Sequence, residues 1–277
     1  MKNYHDILFP YAYNILGSSE DAKDTIQDIL IKYLSIDKSS VENEIGYLVR
    51  SVINHAINLK KRRSKITRMN EVWLPEPFST ENTDDSIHKE EILSYSMLVL
   101  LEKLTVKERA VFILKEAFDY SHKEIAEVLS FSIENSRKLL SRAKEKVQNT
   151  QINENRNTVY DTYPLENYVK VIQSGDLTAL ENLLSNDIVV AADGGKDIKV
   201  VRALTTGITS ASKLLIYVYK AFLAGLTIKM KFVNHQPAIL FFQNGTLYNC
   251  QVFELKGTKI KSIYSIVDPK KLKSFLL

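Results

Sequence analysis

The stretch that most constrains this chain is residues 118–146, where two capped helix starts follow one another closely. Ser121 with Glu124 has the form of a capping box, in which a hydroxyl and a carboxylate each bond a backbone N–H that the first helical turn leaves open. Ile125, Ala126, Val128 and Leu129 then fall on one helical face. The pattern breaks at Ser130-Phe131, and Ser132 offers a second cap. Leu139, Leu140 and Ala143 recur beyond it at helical spacing, with Arg137, Lys138, Ser141, Arg142 and Lys144 between them. A short helix, a tight turn and a basic second helix describe a helix-turn-helix, the second helix of which lies in the DNA major groove. Taken alone, the same residues also describe an ordinary helical hairpin with a solvated basic face.

The 277 residues suffice for two domains with separate cores. No apolar run is long enough to cross a bilayer and no charged-then-apolar leader follows Met1, so no membrane partner is expected and the chain is expected in the cytoplasm. The single cysteine, Cys250, excludes an internal disulfide and reads as a core thiol. The five histidines have no metal-ligand spacing, and neither a metal nor a cofactor is expected. The net charge of +4 is unevenly placed: residues 1–150 carry 22 Lys and Arg against 23 Asp and Glu, residues 151–277 carry 15 against 10. In the first part the positive charge gathers at Lys60, Lys61, Arg62, Arg63, Lys65 and Arg68, and again along the second helix of the motif. Two separate basic patches in a near-neutral region suggest two nucleic-acid contacts; the first also fits a solvated helix end, where cations favour the C-terminal dipole.

Read in order, residues 7–34 form two helices broken at Gly17-Ser18-Ser19, with Ser19 or Asp21 starting the second. Ala22, Ile26, Ile29, Leu30 and Tyr33 should face inward, leaving Asp24, Gln27, Asp28 and Lys32 outside. Residues 42–63 are helical, and Asn54, His55 and Asn58 interrupt their apolar pattern just before the basic run. An asparagine there can read an unstacked base, or can cap or bend a helix pair. Trp73-Leu74-Pro75-Glu76-Pro77 is extended, because two close prolines forbid a regular helix, and its tryptophan is expected to dock. Residues 92–104 are amphipathic, and Thr105 with Glu108 makes another capping box.

These residues carry a resemblance. Asp21-Ala22 with Asp24, Gln27-Asp28 and Lys32, followed by Tyr47-Leu48, Arg50, Asn54 and residues 60–63, resembles region 2 of the extracytoplasmic-function sigma factors of bacterial RNA polymerase. Residues 118–146 are similar to their region 4, including Ser141-Arg142-Ala143. The resemblance implies core RNA polymerase and promoter DNA as partners. On it, Asp24, Gln27, Asp28 and Lys32 grip the polymerase. Asn54 helps capture a flipped base of the −10 element, and Lys60, Lys61, Arg62 and Arg63 hold the opening strand. Arg137, Lys138, Ser141 and Arg142 face the −35 element, while Ser136, Leu140 and Ala143 pack inward. Two departures stand out: Tyr47 where tryptophan is common, and Ser130 where the turn is usually glycine.

The tail has a different texture. Residues 165–172 and 177–184 read as short helices, 188–192 as a strand, 200–204 and 211–223 as helical. Residues 227–233, 238–243, 246–255 and 259–267 then alternate as strands, with a turn at Asn244-Gly245. This α+β part resembles the SnoaL-like cone of the nuclear-transport-factor-like superfamily. Asp193-Gly194-Gly195-Lys196, Asp268-Pro269-Lys270-Lys271-Leu272 and the segment from Trp73 through Pro75 to Pro77 resemble three signature segments of sigma factors that carry such an extension. The expected division is region 2 over 1–68, a linker over 69–90, region 4 over 91–148, a second linker over 149–163 and the SnoaL-like domain over 164–277. The expected architecture is multidomain, two all-α domains followed by an α+β cone. The expected activity is non-enzymatic promoter recognition with a fused regulator; the alternative is a tail that senses a small-molecule ligand or acts as an isomerase or cyclase, with Asp187, Asp193 and His235 as candidates by residue type.

Overall fold

The computed structural model describes residues 4–37, 41–64, 72–81, 88–147, 163–201, 204–273 and 275. Lys65, Arg68, the acidic residues Asp84 and Asp85, and most of the expected second linker lie outside them. The chain divides into two compact units: residues 1–67 with 82–157, and residues 68–81 with 158–277. The first linker therefore belongs in part to the second unit, rather than forming the separate segment expected from the sequence.

In the first unit, α1 (Tyr4–Leu16), α2 (Ser19–Leu34) and α3 (Glu44–Ser64) pack together around Phe9, Tyr13, Ile26, Leu48, Val52 and Ile53, all wholly buried. Ser18, one residue before the expected cap, begins α2 by accepting the Asp21 N–H at 3.1 Å. The extended Ser18 backbone can turn its hydroxyl onto the helix end, whereas Ser19 already lies in the helix. The other half holds α4 (Tyr95–Leu101), α5 (Val106–Glu116), α6 (His122–Leu129) and α7 (Ile133–Lys146). Ile92 and Leu93 are not in α4 as expected, because Ser94 caps the helix after them. Both halves share a buried polar hub. The Arg109 guanidinium donates to the Asn14 carbonyl at 2.8 and 3.1 Å and pairs with Glu102, while the Asn14 amide bonds Glu91 O and Leu93 N.

The second unit is α+β. Helices α8 (Tyr163–Ser174), α9 (Leu177–Leu183) and α10 (Ile208–Val218) cover one face of a sheet that, among the described residues, has six strands. These are β1 (Leu184–Asp193), β2 (Thr205–Thr206), β3 (Thr227–Val233), β4 (Gln236–Gln243), β5 (Thr246–Lys256) and β6 (Lys259–Ile266), in the order β2-β1-β6-β5-β4-β3. Among the described residues only the β1–β6 pair is parallel, and β3 to β6 run as the expected meander. Asn244 and Gly245, both at positive φ, make the two-residue turn between β4 and β5. Ile239, Phe241, Phe253 and Ile263 alternate onto the helix-covered face and meet Tyr168, Leu180 and Leu215. Cys250 is buried in β5, and burial pushes its thiol pKa up, as suits a core thiol. The expected helix over 200–204 is absent among the described residues there: Val200, Val201 and Leu204 lie in a loop that leads into β2. Their apolar character suggests a helix, but the segment is too short to bury a helical face. A short helix, α11 (Pro269–Lys273), closes the unit, with Pro269 at its first position, where a missing N–H costs nothing.

Candidate nucleic-acid interface

The two helices of the central motif are held by the caps that the sequence specifies. Ser121 and Glu124 form a complete capping box, and Ser132 accepts the Asn135 N–H at 3.2 Å. Between them Ser130 takes the left-handed conformation (φ 55°, ψ 53°), which glycine adopts freely and serine at a cost of roughly 1 kcal/mol. His122 on α6 shares a 2.9 Å hydrogen bond with buried Ser136 on α7, fixing one helix on the other. Burial, then the charges of Arg137 and Lys115, hold the His122 pKa below its ordinary value, so the ring is neutral in this contact. Leu139, Leu140 and Ala143 face inward. Arg137, Lys138, Ser141 and Arg142 are all exposed, forming a cationic, hydrogen-bonding face of the kind that meets base edges and phosphates.

On α2, Asp24, Gln27, Asp28 and Lys32 are exposed as expected. Two residues on the same side are absent from the sequence-based set: Ile31 and Leu34 are 59% and 74% exposed. Their spacing from Asp24, Gln27 and Asp28 places them on one helical face, so this surface is amphipathic. Exposed leucine and isoleucine beside carboxylates suit a protein partner better than solvent.

On α3 the expected residues part company. Arg62 and Arg63 are exposed and Lys61 half-buried, with Arg63 also paired to Asp21. Lys60 is turned inward: its ammonium bonds the Leu16 carbonyl at 3.1 Å and Glu102 at 2.9 Å, so in this conformation it does not extend the basic run. Burial alone would raise the Glu102 pKa, but Arg109 and Lys60 beside it hold it below the usual carboxylate range. The amide nitrogen of Asn54 donates to Arg50 O and to Val128 O, both at 2.9 Å.

A third constellation lies wholly within the second unit. The Asp193 carboxylate accepts the Leu74 N–H at 2.7 Å, the Gly195 N–H at 2.8 Å and the Lys271 ammonium at 2.6 Å. Lys271 also donates to Leu74 O at 2.5 Å and lies 4.3 Å from the Trp73 ring centroid. Leu74, Pro75 and Pro77 are buried, so the tryptophan segment docks as expected. Asp268 starts α11 by accepting the Lys270 N–H, and Leu272 is buried. Lys196 is exposed and belongs to the solvent side of the turn. The central cation is Lys271, which lies in the expected signature segment, although nothing local tells it from Lys270 beside it. Residues 78–81 continue the anchoring along the edge of the sheet. Thr80 N bonds Phe232 O, Asn234 N bonds Phe78 O, and Glu81 pairs with Lys231.

Comparison with known proteins accounts for this arrangement. The Sigma-70 region 2 family matches residues 1–66, and Sigma-70, region 4 matches residues 95–147. The likeness continues through the tail: the chain is 24% identical over 271 residues to the probable ECF RNA polymerase sigma factor SigI of Mycobacterium tuberculosis, covering 96% of this chain and 91% of that protein. The chain belongs to the extracytoplasmic-function sigma factors. To the ECF RNA polymerase sigma factor SigJ of the same organism this sigma factor is 29% identical over 207 residues, 71% of its own length and 65% of SigJ. The crystal structure of SigJ superposes with a TM-score of 0.78 over 98% of this chain and 96% of that one, at 18% identity, and so shares its fold. Among the described residues, no helix is long and apolar enough to cross a membrane.

Proposed function

We propose that this sigma factor directs core RNA polymerase to promoters by using three surfaces in turn. The exposed face of α2, with Asp24, Gln27, Asp28, Ile31, Lys32 and Leu34, docks on the polymerase. The α7 face with Arg137, Lys138, Ser141 and Arg142 reads the −35 element. The end of α3, with Asn54 and the basic residues after it, holds the opened −10 strand; unstacking a base costs a few kcal/mol, roughly, offset by a pocket and by phosphate contacts. The observation that carries this reading is the presence, on one chain and in this order, of an amphipathic α2 face and a capped helix-turn-helix with its cationic side exposed. A repressor built on the helix-turn-helix alone would have no use for the first.

The C-terminal domain is a regulator that anchors residues 72–81, the tether between regions 2 and 4, through Asp193 and Lys271. No catalytic role is assigned to it. The three side chains that an isomerase reading would call on lie apart from one another in the chain's elements, at the end of β1, early in β1 and in the β3–β4 turn. Asp193 brackets Leu74, Asp187 is an exposed partner of Ser185, and His235 lies in the β3–β4 turn with its N–H on Thr80. In vitro selection from random duplex DNA with reconstituted holoenzyme tests the proposal. It should return two boxes at fixed separation; a single box, or enrichment that does not require core polymerase, would leave only a helix-turn-helix DNA-binding protein.

A further inference from the structure

The helix-covered face of the sheet carries two amides whose hydrogen-bonding capacity the fold leaves partly unused. Gln251 on β5 lies opposite Ile239 on β4 and Ser265 on β6, and Asn249 lies opposite Phe241. Residues directly opposite one another in a sheet share a face, and Ile239 and Phe241 face the helices, so both amides do as well. Gln251 is 3% exposed and Asn249 2%. The Asn249 nitrogen donates to Ser265 Oγ at 2.8 Å. Its carbonyl oxygen Oδ1 and Oε1 of Gln251 are buried with no partner among the described residues. Acceptors left unmade in a protein interior are costly, and native folds contain few of them. Two at successive inward positions of one strand mark a place where stability is given up for a partner that the chain does not itself supply.

The surroundings define that partner. The neighbouring inward positions Ile228, Met230, Ile239, Phe241, Phe253 and Ile263 carry no charge, so a charged molecule would be buried there without a counterion. Met230 lies opposite Ile239 and Ile228 opposite Phe241, and both are only half-buried, so these two rows run from the buried amides to a less covered edge at β3. We propose that Asn249 and Gln251 form the polar end of a binding site, entered from the β3 side, for a neutral, largely apolar small molecule that carries an N–H or O–H donor, such as a cyclic alcohol or a primary amide. The site adjoins the tether anchor. Ser265, which holds Asn249, pairs with Ala192 on β1, the residue before Asp193. Just beyond it, the Val267 and Asp268 N–H groups bond the Asp193 carbonyl at 2.8 and 3.1 Å. A molecule that displaces Ser265 therefore moves the strand ends that hold Leu74, and occupancy sets how firmly residues 72–81 are anchored. This consequence rests on the regulatory role given to the domain above; the site itself does not.

Matched probes test the site in the full chain: cyclohexanecarboxamide against its N,N-dimethyl form, and cyclohexanol against methoxycyclohexane. Each second member lacks the donor and keeps the apolar body. Saturation-transfer NMR should show the donor-bearing member of each pair binding about five- to tenfold more tightly, the scale of one net hydrogen bond. Gln251→Leu should erase most of that preference while raising the thermal midpoint, because it removes a buried acceptor that has no partner. No saturation transfer, equal binding within each pair, or a preference that survives Gln251→Leu would overturn the site. So would a Gln251→Leu chain less stable than the wild type, which would give the amide a structural use through bound water. Emission of Trp73, the only tryptophan, reads the link to the tether, since these probes do not fluoresce. It should shift as cyclohexanecarboxamide saturates the chain; binding with unchanged emission would keep the site and refute its link to the tether.

Discussion

Asp193 and Lys271, 78 residues apart, form a 2.6 Å ion pair in which the side chains are only 6% and 9% exposed. Each also bonds the backbone of Leu74, one on its N–H and the other on its carbonyl. A buried pair is weak evidence of net stability, because desolvation offsets much of the attraction, but removing one partner strands the other. Its effect here is positional: it fixes a tether segment that carries no regular secondary structure of its own.

Lys271→Met should therefore destabilise the second unit by about 3 kcal/mol, the low end of the cost of breaking a buried pair, because the Leu74 and Gly195 N–H groups still bond the carboxylate. Trp73 is the only tryptophan and lies against Lys271, so its fluorescence reports the tether directly. In a urea titration of the full chain its emission should move to the red at lower denaturant than in the wild type. An unchanged midpoint would show that the pair does not hold the tether.

The turn beside this pair has no room for side chains. A Cβ on Gly194 would lie 2.1 Å from the Ile198 carbonyl oxygen, and one on Gly195 would lie 2.4 Å from Asp268 Oδ2 at a φ of +62°. Gly194→Ala meets backbone, which cannot swing aside, and should cost more than Gly195→Ala, whose neighbour is a carboxylate. Losses of roughly 1–3 kcal/mol or more are expected, read as lowered thermal midpoints by circular dichroism.

The caps are legible in the sequence because they are local: Ser121 with Glu124 and Thr105 with Glu108 form complete boxes, as their spacing requires. The meander is legible through its alternation and its Asn244-Gly245 turn. Partners chosen across the fold are not. Nothing local distinguishes Lys271 from Lys270, or tells that Lys60 turns toward Glu102 while Arg62 stays outside. For Asn54 the sequence allows either a base reader or a helix-pair cap; in the folded chain it caps α6, a contact made by residues 74 positions apart.

The His122–Ser136 contact makes region 4 sensitive to acid. Burial and nearby cations depress the His122 pKa, so its stabilising share is complete above the ordinary value of 6.5 and is lost as pH falls through the lowered folded value. Between about pH 7.5 and about pH 5.5 the wild type should lose more thermal stability than His122→Gln. Equal losses would remove His122 from the account. His55, also depressed, first by burial and then by Lys32, is common to both proteins and cancels in that comparison.

Run-off transcription with purified core polymerase on the selected promoter tests the central claim most directly. The full chain should yield a promoter-specific transcript. Arg142→Ala should reduce it with relaxed discrimination at the −35 box, a loss of about 1–3 kcal/mol if the contact is to a base edge. Asn54→Ala should reduce open-complex formation without changing −35 binding. A chain that binds the duplex yet gives no transcript with core polymerase, or one that transcribes equally well with both residues replaced, would contradict the account.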